Sequence, residues 1–600
     1  MTAPCIRNLA AFTVSIALAT ALPAAAQTSP AGPGLNAPTP LWPTPRSRDE
    51  APKGEPGSPT SEATETAIGG IRIDELAPLS IASDGVGTID GLGADMWRGT
   101  SRALVSAYLP RLPAPSTSPA QRALARKLLL TSAVPPPAAD GAAPESLLSA
   151  RLAALAALGD ADDFIALARA VPSASDEPSI RAQIEAALLA GDDATACATL
   201  SGATRVAAKG EFWNRATVLC DVVGGRTAQA QLALDLMGEQ GVPADSPYVV
   251  LLRDALGERK PVTSLAGVGP LEVALLRLAK APLTPEALAD ASPLALRAIA
   301  VGGGDITARL DAAERAEAFG AIPTAKLAEI YAAVPFKADE MGNALTLAGN
   351  DSSPRGRALF YKAEQQARGV PAAAAEAIEA ALASAREQGR FAQAARVYAA
   401  DIAGIEPAPE LQWFAQDAAR ALYAAGSVAQ AEAWRTQAAR AGDASGDTPL
   451  WPLAAIAAVP KTGVVTAAGA VPPAAPRPFD VAGFNRWVAS LPQPERLPKG
   501  AQVLTLLDAM GARVPPEVWA PYLDAATAAR SSPLLGPMTR AADGGRVGEV
   551  VLLALTALGS GDPALWSAET VGSVGAALNR VNLGGDAAAL VLDSAVASGL

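Results

Sequence analysis

The chain contains no histidine. Without imidazole there is no Ser-His-Asp triad, no Cys-His dyad, no HExxH zinc site and no haem on a proximal histidine. Carboxylate chemistry needs no imidazole and stays open. Acids are adjacent at Asp162-Asp163 and at Asp192-Asp193, and Glu314 stands about one helical turn from Glu317. Two carboxylates in one groove can divide acid and base work, as glycoside hydrolysis requires. The first two pairs, however, fall at the starts of helical patterns. Carboxylates there meet unpaired backbone N–H groups, so capping accounts for them better than catalysis. Asp84, Asp90 and Asp95 would suit calcium, but the neighbouring ligand positions are Val86 and Thr88. Gly85, Gly87 and Gly91 lack the spacing of a dinucleotide fingerprint, and no phosphate-loop lysine follows. The sequence therefore assigns no catalytic residue, no metal ligand and no cofactor.

The thiols depend on where the chain resides. Met1–Asn8 carries Arg7, and Leu9–Leu22 is apolar but too short to span a bilayer comfortably. Pro23 and Ala24-Ala25-Ala26 then precede Gln27. This is the layout of a secretory signal peptide over residues 1–26, cleaved between Ala26 and Gln27. No later segment reads as a transmembrane anchor, so the mature chain is expected to be periplasmic, with secretion as the alternative. Cys5 leaves with the leader, while Cys197 and Cys220 remain in an oxidising compartment. They lie on consecutive predicted helices that a hairpin would bring face to face. A disulfide is expected, and two buried thiols are the alternative.

The elements that carry these residues are helical. Six hundred residues leave room for two to four domains. Roughly a quarter of them are alanine, the best helix former, and aromatics reach only 4%. A net charge of −12 disfavours a nucleic-acid partner held by phosphate contacts. Residues 27–67 read as a disordered Pro-rich linker, because proline removes donors and little apolar surface offsets chain entropy. Residues 68–95 form an irregular Gly-rich segment. The helical period then runs through an array at 96–448, a Pro/Ala-rich linker at 449–478 and a C-terminal helical block at 479–600.

A turn recurs within the array. Gly191 is followed five residues on by Ala196, Gly225 by Ala230, Gly389 by Ala394 and Gly426 by Ala431. Glycine ends one helix in a left-handed conformation, and alanine lets the returning helix approach its partner closely. Gly191 to Gly225 is 34 residues and Gly389 to Gly426 is 37. With Tyr398 four residues after Ala394, the units resemble tetratricopeptide-type repeats. That resemblance implies an all-α, tetratricopeptide-like α-solenoid of antiparallel helix hairpins. Leu200 and Leu234 replace the aromatic in the first two copies, and the family's first-helix Trp and Gly are absent. Exported superhelical lytic transglycosylases are also alanine-rich solenoids, but their Glu-Ser motif and its Gly-Leu-Met-Gln partner are missing here.

Solenoids present extended surfaces, and no constellation here supplies chemistry. The expected function is an exported helical-repeat scaffold that binds a protein, peptide or cell-envelope partner without catalysis. A carboxylate-dependent envelope hydrolase and a structural spacer without a ligand are the alternatives.

Overall fold

A computed structural model describes residues 83–137, 146–172, 176–203, 210–279, 282–440, 446–458, 478–522, 532–559 and 561–600, with the backbone of 465–466 and 469–470. The signal peptide with its Ala26–Gln27 cleavage site, the 27–67 linker and the start of the 68–95 segment lie outside the described residues. The fold is all-helical. The one ladder among the described residues pairs Val465–Thr466 with Gly469–Ala470. The described residues from 83 onward belong to one compact unit in which many helices pack on their neighbours in sequence, while Gln493–Ala509 packs chiefly on Ala568–Arg580.

Local chemistry starts and stops these helices. Ser101, Ser118, Ser146, Asp176, Asp192, Ser292 and Asp305 each cap a helix by accepting a backbone N–H from its first turn. The four repeat turns share one stop geometry. Gly191, Gly225, Gly389 and Gly426 have φ of 79°, 71°, 68° and 76°. In each case the glycine N–H reaches the carbonyl three residues back, and the next N–H reaches five back. This Schellman closure satisfies two orphan carbonyls and turns the chain into the next helix. Ala196, Ala230 and Ala431 are fully buried in the returning helices. Ala394 is half-buried, and its neighbour Ala395 takes the fully buried position.

The same turn occurs where the Gly-to-Ala pattern does not. Gly159, Gly545 and Asn582 close helices identically, with Phe164, Val550 and Ala587 buried five residues on. At Gly159 a Cβ would stand 2.5 Å from the Pro293 Cβ and 2.8 Å from the Ala321 Cβ. A side chain there would push apart segments far away in sequence.

The C-terminal helices return to the first ones. Val547–Leu558 and Gly584–Ala597 pack on Pro119–Leu130. The Gly548 N–H donates to the Met96 carbonyl at 2.9 Å, and the Thr117 N–H donates to the Gly561 carbonyl at 2.8 Å. The Ser118 hydroxyl donates to Asp593 at 2.5 Å, and the Lys127 ammonium meets Asp586 at 2.6 Å. The described part of 449–478 also departs from a plain linker. It opens with the helix Trp451–Ala457, which buries Leu453 and Ile456 and packs on Gly584–Ala597. Those apolar residues give it a face to hide, which proline counting overlooks.

Asp160 has a measurable consequence. It precedes the helix Ala161–Ala170, yet its side chain does not cap that helix, and its buried Oδ2 has no hydrogen-bond partner among the described residues. Burial, reinforced by the charge of Asp163, pushes its carboxyl up to about 6. A carboxyl raised by folding favours the folded state when protonated. Stability is therefore lost as pH climbs from the unfolded value near 4 towards 6, and the deficit is complete at neutrality. Asp160→Asn should raise the unfolding free energy by about 1–3 kcal/mol at pH 7 and by little at pH 4. Urea denaturation at the two pH values measures this; an equal effect at both would refute it.

Candidate functional site

One hollow has a volume of about 930 Å3, within the range of ligand sites. Its walls come from the helices Leu147–Leu158, Glu177–Leu189 and Ile306–Ala318 and from the loops around Gly267–Pro270 and Ala289–Pro293. Alanine dominates the lining, with Ala150, Ala153, Ala156 and Ala182 among it. Short side chains keep the helices from filling the space between them. Phe164 and Phe319 supply larger apolar surface, and Pro115, Pro178, Pro270 and Pro293 add rigid edges.

Four charged groups line this hollow: Arg181, Glu185, Asp290 and Arg315. Asp290 is fully engaged, accepting from the Ser264 hydroxyl at 2.5 Å and the Leu265 N–H at 2.9 Å. Arg315 donates to the Ala289 carbonyl at 2.8 Å. The Arg181 guanidinium lies 4.4 Å over the Phe212 ring and donates through Nε to Glu185 Oε1 at 3.0 Å. Glu185 is only 8% exposed, and none of the described residues donates to its Oε2. Burial pushes its carboxyl up, Arg181 opposes this, and the charge of Glu272 adds to it. A buried carboxylate with one open oxygen at the wall of this hollow is the lining group most suited to meet a ligand.

The acid pair Glu314 and Glu317 has a different use. Glu314 is fully buried and accepts from the Tyr331 hydroxyl at 2.6 Å, from Arg357 at 2.7 and 2.6 Å and from Arg390 at 2.8 Å. Glu317 accepts a forked pair of bonds from Arg396, both at 2.9 Å, with Thr324 and Gln393 completing its shell. Burial raises the Glu317 carboxyl, but Arg396 and these neutral donors outweigh it and hold the group below its ordinary range. Burial and the Glu314 charge drive the Tyr331 hydroxyl well above its usual value. Beside this network Arg357, Arg390, Ala394 and Tyr398 help line a cavity of about 20 Å3, room for a single water. Both carboxylates are spent on arginines, which makes the pair a clamp between helices rather than an acid–base couple.

A second hollow of about 530 Å3 is lined by Arg386, Arg390, Arg396 and Arg420. Their partners are Asp417, Glu314, Glu317 and the Leu600 carbonyl, so each guanidinium is already engaged.

Cys197 and Cys220 form a disulfide, with Cα atoms 5.5 Å apart, between the helices Asp193–Gly202 and Glu211–Val223. Asp192 caps its helix through Thr195, while Asp162 and Asp163 bind Arg297 and Arg126. Asp84 is buried and bonded to Arg102 and the Leu148 N–H, and no metal-holding cluster occurs among the described residues. None of the four repeat-turn glycines lines the 930 Å3 hollow. Glu185 escapes sequence reasoning because Arg181 and Glu185 have the spacing of an exposed helical ion pair. The available signal is its apolar setting: Ala182, Ile184, Ala186 and Leu188 are all buried. No described helix is long and apolar enough to cross a membrane. Comparison with protein-family models, curated proteins and solved structures finds no match for the chain.

Proposed function

We propose that this chain is an exported, non-catalytic helical-repeat scaffold. It takes an extended segment of a protein or peptide partner of the cell envelope into the 930 Å3 hollow. In form it is similar to a tetratricopeptide-type α-solenoid, a reading supported by repeated Schellman turns between neighbouring helices. The disulfide agrees with residence in an oxidising periplasm. The observation that carries the binding role is the hollow itself, walled by small residues and offering one open carboxylate oxygen. A spacer has no need of it. A two-carboxylate hydrolase would require a free partner for Glu185, and Asp290 already gives both oxygens to Ser264 and Leu265.

Panning a random peptide library against the whole protein tests the reading. Ala153 lines the hollow and is exposed, so Ala153→Trp should fill the space without disturbing the core. Peptides should be enriched whose binding Ala153→Trp weakens at least about tenfold, since bulk would exclude the chain from its seat. A library that yields no such peptide overturns the proposal.

A further inference from the structure

We propose that Glu185 determines the specificity of the hollow by receiving a lysine or arginine side chain of the bound peptide. This rests on the peptide-binding reading above. Glu185 projects from the helix Glu177–Leu189 into the wall of the hollow, with nine-tenths of its surface removed from solvent. Arg181 holds one carboxylate oxygen, while its guanidinium is spread over Phe212 and its side chain is 49% exposed. It therefore faces water as much as it faces its acid. The other oxygen, Oε2, has no donor among the described residues.

A ligand ammonium or guanidinium would supply both the missing N–H and a compensating charge, making a charge-assisted bond away from bulk water. The nearby acid Glu272 favours the same sign of ligand. It is held by the Gly269 N–H at 3.1 Å and by Arg215 at 3.7 Å, and it already makes ionisation of Glu185 harder. An acidic or purely apolar side chain would displace water from Oε2 and offer it no donor in return. The alanine walls admit a main chain closely, and Arg315 uses one donor on Ala289, leaving others for peptide carbonyls.

The test uses two fluorescent peptides of alanine and proline that differ only at the centre, where one has lysine and the other norleucine. Anisotropy titration of the whole protein should show the lysine peptide binding at least about tenfold tighter. Glu185→Gln should remove that difference, and Glu185→Asp should keep part of it. If norleucine binds as well as lysine, and Ala153→Trp abolishes both, the charge inference fails while the peptide-binding reading stands. Should neither these peptides nor any library member bind in an Ala153→Trp-sensitive way, the peptide-binding reading itself falls. The lysine-to-norleucine comparison needs no variant, so it holds even where Glu185→Gln folds poorly.

Discussion

Replacing Glu314 by alanine should destabilise the fold by about 3–5 kcal/mol, the range measured when one partner of a buried ion pair is removed. The mechanism is the orphaning of what remains. Arg390 makes its one ion pair with Glu314, and Arg357 aims two of its nitrogens there. Both guanidinium groups would be left mostly buried without a counter-charge, and the Tyr331 hydroxyl would lose its acceptor. Glu314→Gln should cost less, because an amide oxygen still receives Tyr331 or Arg357. The loss should persist at high salt, since ions screen buried charges weakly. The exposed pair Arg98–Asp95, at 78% and 66% exposure, is the contrasting case; breaking it should change little.

The form of that unfolding transition matters as much as its midpoint. Glu314 lies on Ile306–Ala318 and Arg390 at the start of Phe391–Gly404, 76 residues later. A strict one-dimensional array couples only adjacent repeats, and its transition is broad or stepwise when one interface weakens. The Glu314 and Glu317 clamp adds a coupling that skips the intervening helices. Equilibrium denaturation of Glu314→Ala should thus show a shallower slope or two steps where the parent shows one. A parallel shift with unchanged slope would mean that the remaining contacts carry cooperativity without the clamp.

Sequence makes the local grammar of this fold legible and leaves its long-range closure hidden. Glycine followed five residues later by alanine marks four turns because left-handed φ and close helix approach need those residue types. Asn582 before Ala587 makes the same hydrogen-bonded closure, and Gly159 makes it before a bulky buried Phe164, so a literal Gly-to-Ala pattern passes over both. Pairing of the cysteines is legible since a short connection places them on successive helices. The Ser118–Asp593 and Lys127–Asp586 contacts span 475 and 459 residues, and no local pattern foretells which distant acid will meet them. The same limit applies to the site. Glu314 and Glu317 stand out as an acid pair, whereas their arginine partners at 357, 390 and 396 belong to other helices. A hollow made by alanines leaves no mark in a chain where alanine is everywhere.

Removing the Cys197–Cys220 bridge should cost about 3 kcal/mol on the chain-entropy model, given a sequence separation of 23. The bridge limits the unfolded chain locally, so the loss should be local as well. Asp193–Gly202 is the weak point: of its ten residues only Ala196 is fully buried, and its cap is the exposed Asp192. Glu211–Val223 is better anchored, burying Trp213, Ala216, Val218 and Leu219. Trp213 also donates to Glu177 at 2.9 Å. After reduction, or in Cys197→Ala/Cys220→Ala, hydrogen exchange should accelerate most over Asp193–Gly202. A drop of about 3 kcal/mol corresponds to roughly a hundredfold faster exchange where opening there governs it. Residues after Phe391 should exchange unchanged, because the bridge touches none of their packing. Uniform acceleration along the chain would show instead that the disulfide sets global stability, and no acceleration would show that the two helices hold together through their apolar faces alone.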